Sequence, residues 1–106
     1  MTTDAATTLK PFRDRLEELD QQLARLLAQR FDICREVADT KRAAGIPMMQ
    51  PERVEQVKQA YAARGRELGV DPAFMYALAS LVIGEACRLE DDIIGAAPSP
   101  GEERSR

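Results

Sequence analysis

One apolar stripe interrupted by an arginine constrains the fold of this chain more than any other feature. Its residues recur at alternating spacings of four and three, which places them on a single face of one long helix. The stripe consists of Phe12, Leu16, Leu19, Leu23, Leu26, Arg30, Ile33 and Val37. Because a guanidinium stays charged and is very costly to bury alone, Arg30 predicts an anionic partner. Lys41 lies within about 20° of the same direction and adds a second cation to this face.

The helix that carries this apolar stripe is too long for one compact domain. It is expected to run from Leu9 to Ala44, with Pro11 in its first turn and Gly45 as its stop. Its length would be roughly 50 Å, whereas a compact chain of this size has a radius of gyration of about 13 Å. The apolar stripe would be exposed unless a second chain covered it. We therefore expect an intertwined homodimer.

The rest of the chain predicts two shorter helices and no strand. Pro51 opens the second helix and Gly69 caps it, while Asp71 and Pro72 begin a third helix that runs to Ile94. The apolar rows of these helices are Val54, Val57, Tyr61 and Leu68 in the second, and Met75, Ala79, Val82, Ala86, Leu89 and Ile93 in the third. The fold class is therefore all-α with three helices, formed by one domain over 9–94. The polar segments 1–8 and 95–106 are expected to be disordered.

Composition excludes several classes of function. The chain has no histidine, which removes the usual general base and the usual metal ligand, so we expect no metal and no cofactor. A net charge of -3 and few aromatic residues argue against nucleic-acid binding. No apolar run approaches the length of a membrane span, and the N-terminus lacks a signal-peptide pattern. We expect a cytoplasmic protein without a membrane partner.

Four cations at helical positions are the candidate binding residues. Arg30 and Lys41 are about 16 Å apart along the predicted helix, so their long side chains could hold a small dianion between them. Arg13 is about 25 Å further back and could reach that pocket only from a second, antiparallel subunit. Arg53 lies in the first turn of the predicted second helix. The alternative interpretation makes these cations solvated surface residues.

Four stretches of the sequence resemble the all-helical chorismate mutases over residues 9–94. They are LKPFRDRLEELDQQLARLLAQR, VADTK, GIPMMQPERV and EACRLEDDII. Within that family the chain is most similar to the 4-amino-4-deoxychorismate mutases of antibiotic pathways, which share a PMMQP-x-RV loop and a CR-x-ED stretch. The resemblance implies an isomerase that rearranges 4-amino-4-deoxychorismate to 4-amino-4-deoxyprephenate without a cofactor.

The resemblance also implies a role for each cation. Arg13 from the partner subunit and Arg30 would bind the two carboxylates of the substrate. Lys41 would contact a carboxylate and the ether oxygen, and Arg53 would lie near the ring. The third helix would supply Glu90, at a position where bacterial chorismate mutases usually have glutamine.

The implied reaction suits a chain without histidine. A Claisen rearrangement is one pericyclic step that needs a reactive conformer and stabilisation of the charge developing on the ether oxygen. Cations serve both needs. Glu90 can donate a hydrogen bond to that oxygen only when protonated, and we expect its burial to favour that form.

Three positions depart from the usual chorismate mutase pattern. Gln50 replaces an acidic residue, Val54 replaces the glutamate that bonds the C4 hydroxyl, and Ala86 stands where serine is common. Because valine cannot make that bond, a substrate altered at C4 is favoured. Chorismate mutase and isochorismate-pyruvate lyase activities stay open, since the lyases also carry ERV there. A non-catalytic helical dimerisation module is the alternative from a different class, and Arg30 speaks against it.

Overall fold

The computed structural model describes residues 4–47 and 50–95. Over these residues it contains three helices and no strand: α1 (Ala5–Ala44), α2 (Pro51–Leu68) and α3 (Pro72–Gly95). The predicted all-α class and the order of the helices are confirmed. The expected disorder at 1–3 and 96–106 concerns residues outside the described ones, whereas Gly95 belongs to α3. The chain divides into two compact units after Asp32.

Helix α1 begins earlier than predicted because Asp4 caps it. The carboxylate of Asp4 accepts hydrogen bonds from the Ala6 N–H at 3.0 Å and from the Thr7 hydroxyl at 3.2 Å. The Asp4 carbonyl accepts from the Thr8 N–H at 2.9 Å. These bonds satisfy groups at the helix start that would otherwise lack a partner. Residues 5–8 are therefore helical, and the expectation of disorder is wrong for them.

Glycine and proline set the other helix ends as predicted. Gly45 and Gly69 have φ values of 70° and 78°, in the left-handed region that glycine adopts without strain, and each follows the last residue of a helix. Pro51 is the first residue of α2 and follows an extended Gln50. Pro11 differs from its prediction: because α1 begins at Ala5, Pro11 lies inside the helix and not in its first turn.

Helices α2 and α3 pack together through small residues. Ala62 and Gly65 of α2 and Ala79 of α3 are buried. A Cβ atom on Gly65 would lie 2.7 Å from the carbonyl oxygen of Val70 and 2.8 Å from Cγ of Met75. The carbonyl oxygen of Gly65 itself accepts a hydrogen bond from the Val70 N–H at 2.8 Å, and this bond closes the C-terminal end of α2. Gly65 is thus required by a close contact, which the sequence did not reveal.

A polar cluster joins the outer faces of α2 and α3. The Tyr76 hydroxyl donates to Glu55 Oε1 at 3.0 Å, and the Gln59 amide donates to Glu55 Oε2 at 2.8 Å. Lys58 Nζ lies 5.5 Å from the centre of the Tyr76 ring. The hydrogen bonds from Gln59 and Tyr76 lower the pKa of Glu55, and the bond to Glu55 raises the pKa of Tyr76. This cluster fixes the pairing of the two helices at their surface.

The apolar row predicted for α3 forms most of the core. Ala79, Val82 and Ala86 are buried, and Met75, Leu89 and Ile93 are half-buried. The row of α2 is half-buried at Val54, Val57 and Tyr61. Its last member, Leu68, is 71% exposed, so its predicted place on the buried face is wrong. It is the final residue of α2, where the chain turns away.

The apolar stripe of α1 is uncovered in the single chain. Its seven apolar residues are each between 39% and 60% exposed, and Arg30 is half-buried. Removing apolar surface from water is favourable by roughly 25 cal/mol of free energy for each Å² that is buried. An uncovered row of this kind is typical of a surface that binds another chain.

Contrary to the expectation from the sequence, α3 is long and apolar enough to cross a membrane when judged by length and composition alone, with a mean hydropathy of 1.2 in its most apolar window. A single helix of this kind carries little weight, because core helices of soluble proteins pass the same test. Its second half also contains Glu85, Arg88, Glu90, Asp91 and Asp92.

The contact at Gly65 predicts an inverted response to alanine. In a helix interior, alanine is normally about 1 kcal/mol better than glycine. Gly65→Ala should instead lower the free energy of unfolding by about 1–3 kcal/mol, because the new methyl group meets a backbone carbonyl that cannot move aside. Urea unfolding at fixed protein concentration measures this change.

Gly84→Ala is the matched control, since nothing lies within 4 Å of a Cβ atom at Gly84 in α3. It should leave stability unchanged or raise it. Equal stabilisation by both substitutions would contradict the packing described at Gly65.

Candidate functional site

A buried ion pair between α1 and α3 is the centre of the candidate site. Lys41 Nζ lies 3.3 Å from Glu90 Oε1, and the two side chains are only 18% and 11% exposed. Glu90 is the one charged residue that is buried among the described residues. Glutamate is almost never buried without a partner, so this arrangement is a selected feature and not a surface accident. The structure thus brings together two of the predicted site residues.

Neighbouring residues hold this ion pair in place. The Arg42 guanidinium donates to the carbonyl oxygen of Ile93 at 3.1 Å, which ties the last turn of α1 to the last turns of α3. Ala38, one turn before Arg42, is fully buried. The small side chain of Ala86, one turn before Glu90, is also buried. The Arg42 hydrogen bond and the buried alanines thus surround the ion pair and restrict the position of the Lys41 ammonium.

Cys87 lies close to the same charges. Burial raises the pKa of the Cys87 thiol, and the negative charges of Glu90 and Asp91 raise it further, while Lys41 opposes them. A raised pKa keeps the thiol protonated near neutral pH, and a thiol is a poor nucleophile. The surroundings of Cys87 therefore do not activate its thiol as a nucleophile.

A groove of about 410 Å³ runs beside Lys41 between the end of α1 and the start of α2. It has apolar and polar sides, and its lining residues are Ile33, Glu36, Val37, Thr40, Lys41, Ile46 and Gln50. Lys41 and Gln50, both predicted site residues, share this groove. Its size and mixed lining suit a small polar molecule with one apolar face.

Gln50 also lines a second, open groove of about 690 Å³ together with Arg53. Its side chain makes no capping hydrogen bond to α2, although it occupies the N-cap position. Val54 donates its N–H to the Gln50 carbonyl at 3.1 Å, and its side chain is half-buried. Gln50 therefore borders both the groove of Lys41 and that of Arg53.

Two of the predicted cations lie in the other compact unit. Arg13 is exposed and Arg30 is half-buried on the part of α1 that precedes the division of the chain. Their binding of substrate carboxylates stays a prediction.

Sequence reasoning missed Glu36 and Thr40 as lining residues. Both lie on α1 beside the row of Ile33, Val37 and Lys41, and their spacing of four places them on one flank of that row. Their position beside that row was the sequence signal that could have identified them as lining residues. In the described part of the chain, no group of three or more His, Cys, Asp or Glu side chains could hold a metal ion.

The buried ion pair predicts that Lys41→Met destabilises the protein much more than Arg88→Met, which breaks an exposed ion pair. Lys41→Met leaves the buried Glu90 carboxylate without its ammonium and should lower the free energy of unfolding by about 1–3 kcal/mol. The double variant Lys41→Met/Glu90→Met should regain most of that loss. Urea unfolding of the unsubstituted protein, Lys41→Met, Glu90→Met and the double variant at one concentration measures the coupling.

Arg88→Met is the control because it breaks an exposed ion pair on α3. Arg88 Nη2 lies 2.7 Å from Glu85 Oε2, and the side chains are 59% and 41% exposed. This bond lowers the pKa of Glu85, but water screens the pair, so its loss should cost less than the loss of Lys41. Equal losses of unfolding free energy in Arg88→Met and Lys41→Met would contradict the prediction that the buried pair matters more for stability than the exposed one.

Comparison with known proteins identifies the family of this chain. The family model for chorismate mutase type II matches residues 12–91. A 4-amino-4-deoxychorismate mutase of Streptomyces pristinaespiralis is 42% identical over 103 residues, which cover 93% of this chain and 80% of the relative. A 4-amino-4-deoxychorismate mutase of Streptomyces venezuelae is 34% identical over 96 residues, covering 91% and 93%.

A shorter match joins the chain to a chorismate mutase of Methanocaldococcus jannaschii, 33% identical over 49 residues, or 46% of this chain and 50% of the relative. No solved structure matches the chain significantly. The family match spans all three helices, including Lys41 and Glu90. The chain therefore belongs to the chorismate mutase type II family.

Proposed function

We propose that this protein is a 4-amino-4-deoxychorismate mutase, an isomerase that converts 4-amino-4-deoxychorismate to 4-amino-4-deoxyprephenate. The observation that carries the proposal is the buried Lys41–Glu90 pair beside a groove of about 410 Å³, in a chain 42% identical to a mutase of that name. Val54 adds support, because it offers no acceptor for the C4 hydroxyl of chorismate.

The reaction requires placement and charge stabilisation, and no proton transfer. One C–O bond of the enolpyruvyl ether breaks while one C–C bond forms, so all atoms of the substrate remain in the product. The Lys41 ammonium would donate a hydrogen bond to the ether oxygen, where negative charge develops in the transition state. Arg30, and Arg13 of the partner subunit, would hold the two carboxylates and keep the enolpyruvyl arm over the ring.

Glu90 would act through its contact with Lys41. An ionised Glu90 accepts the hydrogen bond from Lys41 and so orients the ammonium. Donation from Glu90 to the ether oxygen requires its protonated form, because an ionised carboxylate only accepts. Arg53 and Gln50, which border the adjoining groove, would lie toward the ring, with Val54 and Ala86 shaping the remaining wall.

The active enzyme would be a homodimer. The uncovered apolar stripe of α1 supports this proposal, since a second copy could cover it with its own stripe. The two stripes would run antiparallel, which would carry Arg13 of each chain toward the site of the other. The cytoplasmic location and the absence of nucleic-acid and membrane partners stay predictions from the sequence.

Side-by-side turnover of three substrates tests the proposed function. The purified protein should rearrange 4-amino-4-deoxychorismate with a higher kcat/KM than chorismate, and should release no pyruvate from isochorismate. Product identification by mass spectrometry and NMR accompanies each rate. Lys41→Met serves as the negative control, because it removes the donor to the ether oxygen.

A higher kcat/KM with chorismate would contradict the substrate assignment while leaving the family intact. Pyruvate release from isochorismate would move the chain to the lyase branch. Turnover of none of the three compounds would favour the non-catalytic dimerisation module.

A further inference from the structure

The groove beside Lys41 contains one acidic side chain that the reaction itself does not use. Glu36 is the only carboxylate among the described residues that line this groove. It is exposed, and it forms no hydrogen bond or ion pair with the described part of the chain. No basic residue lies three or four positions from Glu36 along α1, whereas Glu85 has Arg88 at that spacing and pairs with it. The Glu36 carboxylate therefore lines the groove of Lys41 and is available to bind a ligand there.

The proposed substrate presents a group that the other polar residues of the groove cannot neutralise. It carries two carboxylates, which cations bind, and one amino group at C4, which is protonated near neutral pH. Lys41 repels an ammonium, and Thr40 and Gln50 offer only neutral acceptors. A carboxylate is the side chain that accepts hydrogen bonds from an ammonium with charge assistance, which makes them roughly twice as strong as neutral ones.

We infer that Glu36 is the substrate-binding residue that recognises the C4 ammonium and selects it over a hydroxyl. The inference rests on the proposed function, and it assigns the specificity that Val54 alone leaves unexplained. The Gln50 side chain, which lines the same groove, offers a neutral acceptor. Val54 thus removes the partner of a hydroxyl, and Glu36 supplies the partner of an ammonium.

Glu52 is the competing acidic residue, and the structure favours Glu36. Glu52 lines the neighbouring groove with Gln50 and Arg53, and that groove does not include Lys41. It also lies in the first turn of α2, where a negative charge is stabilised by the helix N-terminus. Glu52 thus lies apart from the groove of Lys41, whereas Glu36 lines that groove.

The decisive experiment measures kcat/KM of Glu36→Gln with 4-amino-4-deoxychorismate, and with chorismate either its turnover or its constant as a competitive inhibitor. Glutamine keeps the size of the side chain and removes the charge. The kcat/KM for the amino substrate should fall about 10-fold to 100-fold, mainly through a higher KM. The value for chorismate should change less than about threefold, because a hydroxyl gains no charge-assisted bond.

Two further variants serve as controls. Glu36→Asp keeps the charge on a shorter side chain and should retain more of the preference for the amino substrate than Glu36→Gln does. Glu52→Gln removes the neighbouring acidic residue and should leave the ratio of the two substrates unchanged. Unchanged chorismate binding by Glu36→Gln also shows that the variant is folded.

The outcomes separate this inference from the function on which it rests. If the unsubstituted enzyme rearranges the amino compound and Glu36→Gln keeps its substrate ratio, the role of Glu36 is overturned and the proposed function stands. Equal losses for both substrates, or a selective loss in Glu52→Gln, overturn it as well. If the unsubstituted enzyme fails on the amino compound, the proposed function and this inference fall together.

Discussion

The ion pair between Lys41 and Glu90 is the interaction on which the rest of the site depends. Taking two charges out of water costs several kcal/mol for each ion, and their mutual attraction offsets this only when the geometry is good. A chain that needed only stability would place apolar residues there. Helix α1 instead ends with Lys41 facing α3, and Arg42 fixes that end by its bond to the Ile93 carbonyl. We interpret the pair as a means of holding one ammonium at a defined point beside a groove.

Small residues make this arrangement possible. Ala38, Ala79 and Ala86 are buried, and Gly65 lets α2 and α3 approach more closely than any side chain would allow. Close packing of this kind leaves few voids and restricts the positions that the helices can adopt. The close packing of α2 and α3 thus supports Glu90, whereas Lys41 reaches it from α1 through the side-chain contact alone.

Much of the fold was predictable because the signals were local. Pro51, Gly45 and Gly69 define helix ends through their own backbone preferences, and the row of Ala79, Val82 and Ala86 follows from helical spacing. Asp4 was also a local signal, since a cap residue precedes the polar first turn, and its capping role was missed. The contact at Gly65 could not be predicted, because it depends on Met75 and Val70 meeting α2 in space.

The candidate site was likewise predictable from the sequence only in part. Spacing and resemblance pointed to Lys41 and Glu90, which the structure places in contact. Periodicity gives only the direction of a side chain, so it revealed the row containing Lys41 and not the groove on its flank that includes Glu36. The apolar stripe is exposed in the single chain, and periodicity predicts where this stripe lies but not what covers it.

Under the proposed function each active site combines residues of two chains, and mixing two inactive variants tests this sharing most directly. Arg13→Ala and Arg30→Ala should each have little activity alone. After subunit exchange, roughly half of the dimers are mixed, and one of the two sites in each keeps both arginines, so about a quarter of the unsubstituted rate should return. Native mass spectrometry verifies that mixed dimers have formed. Mixed dimers without any recovered activity would contradict a site shared between chains.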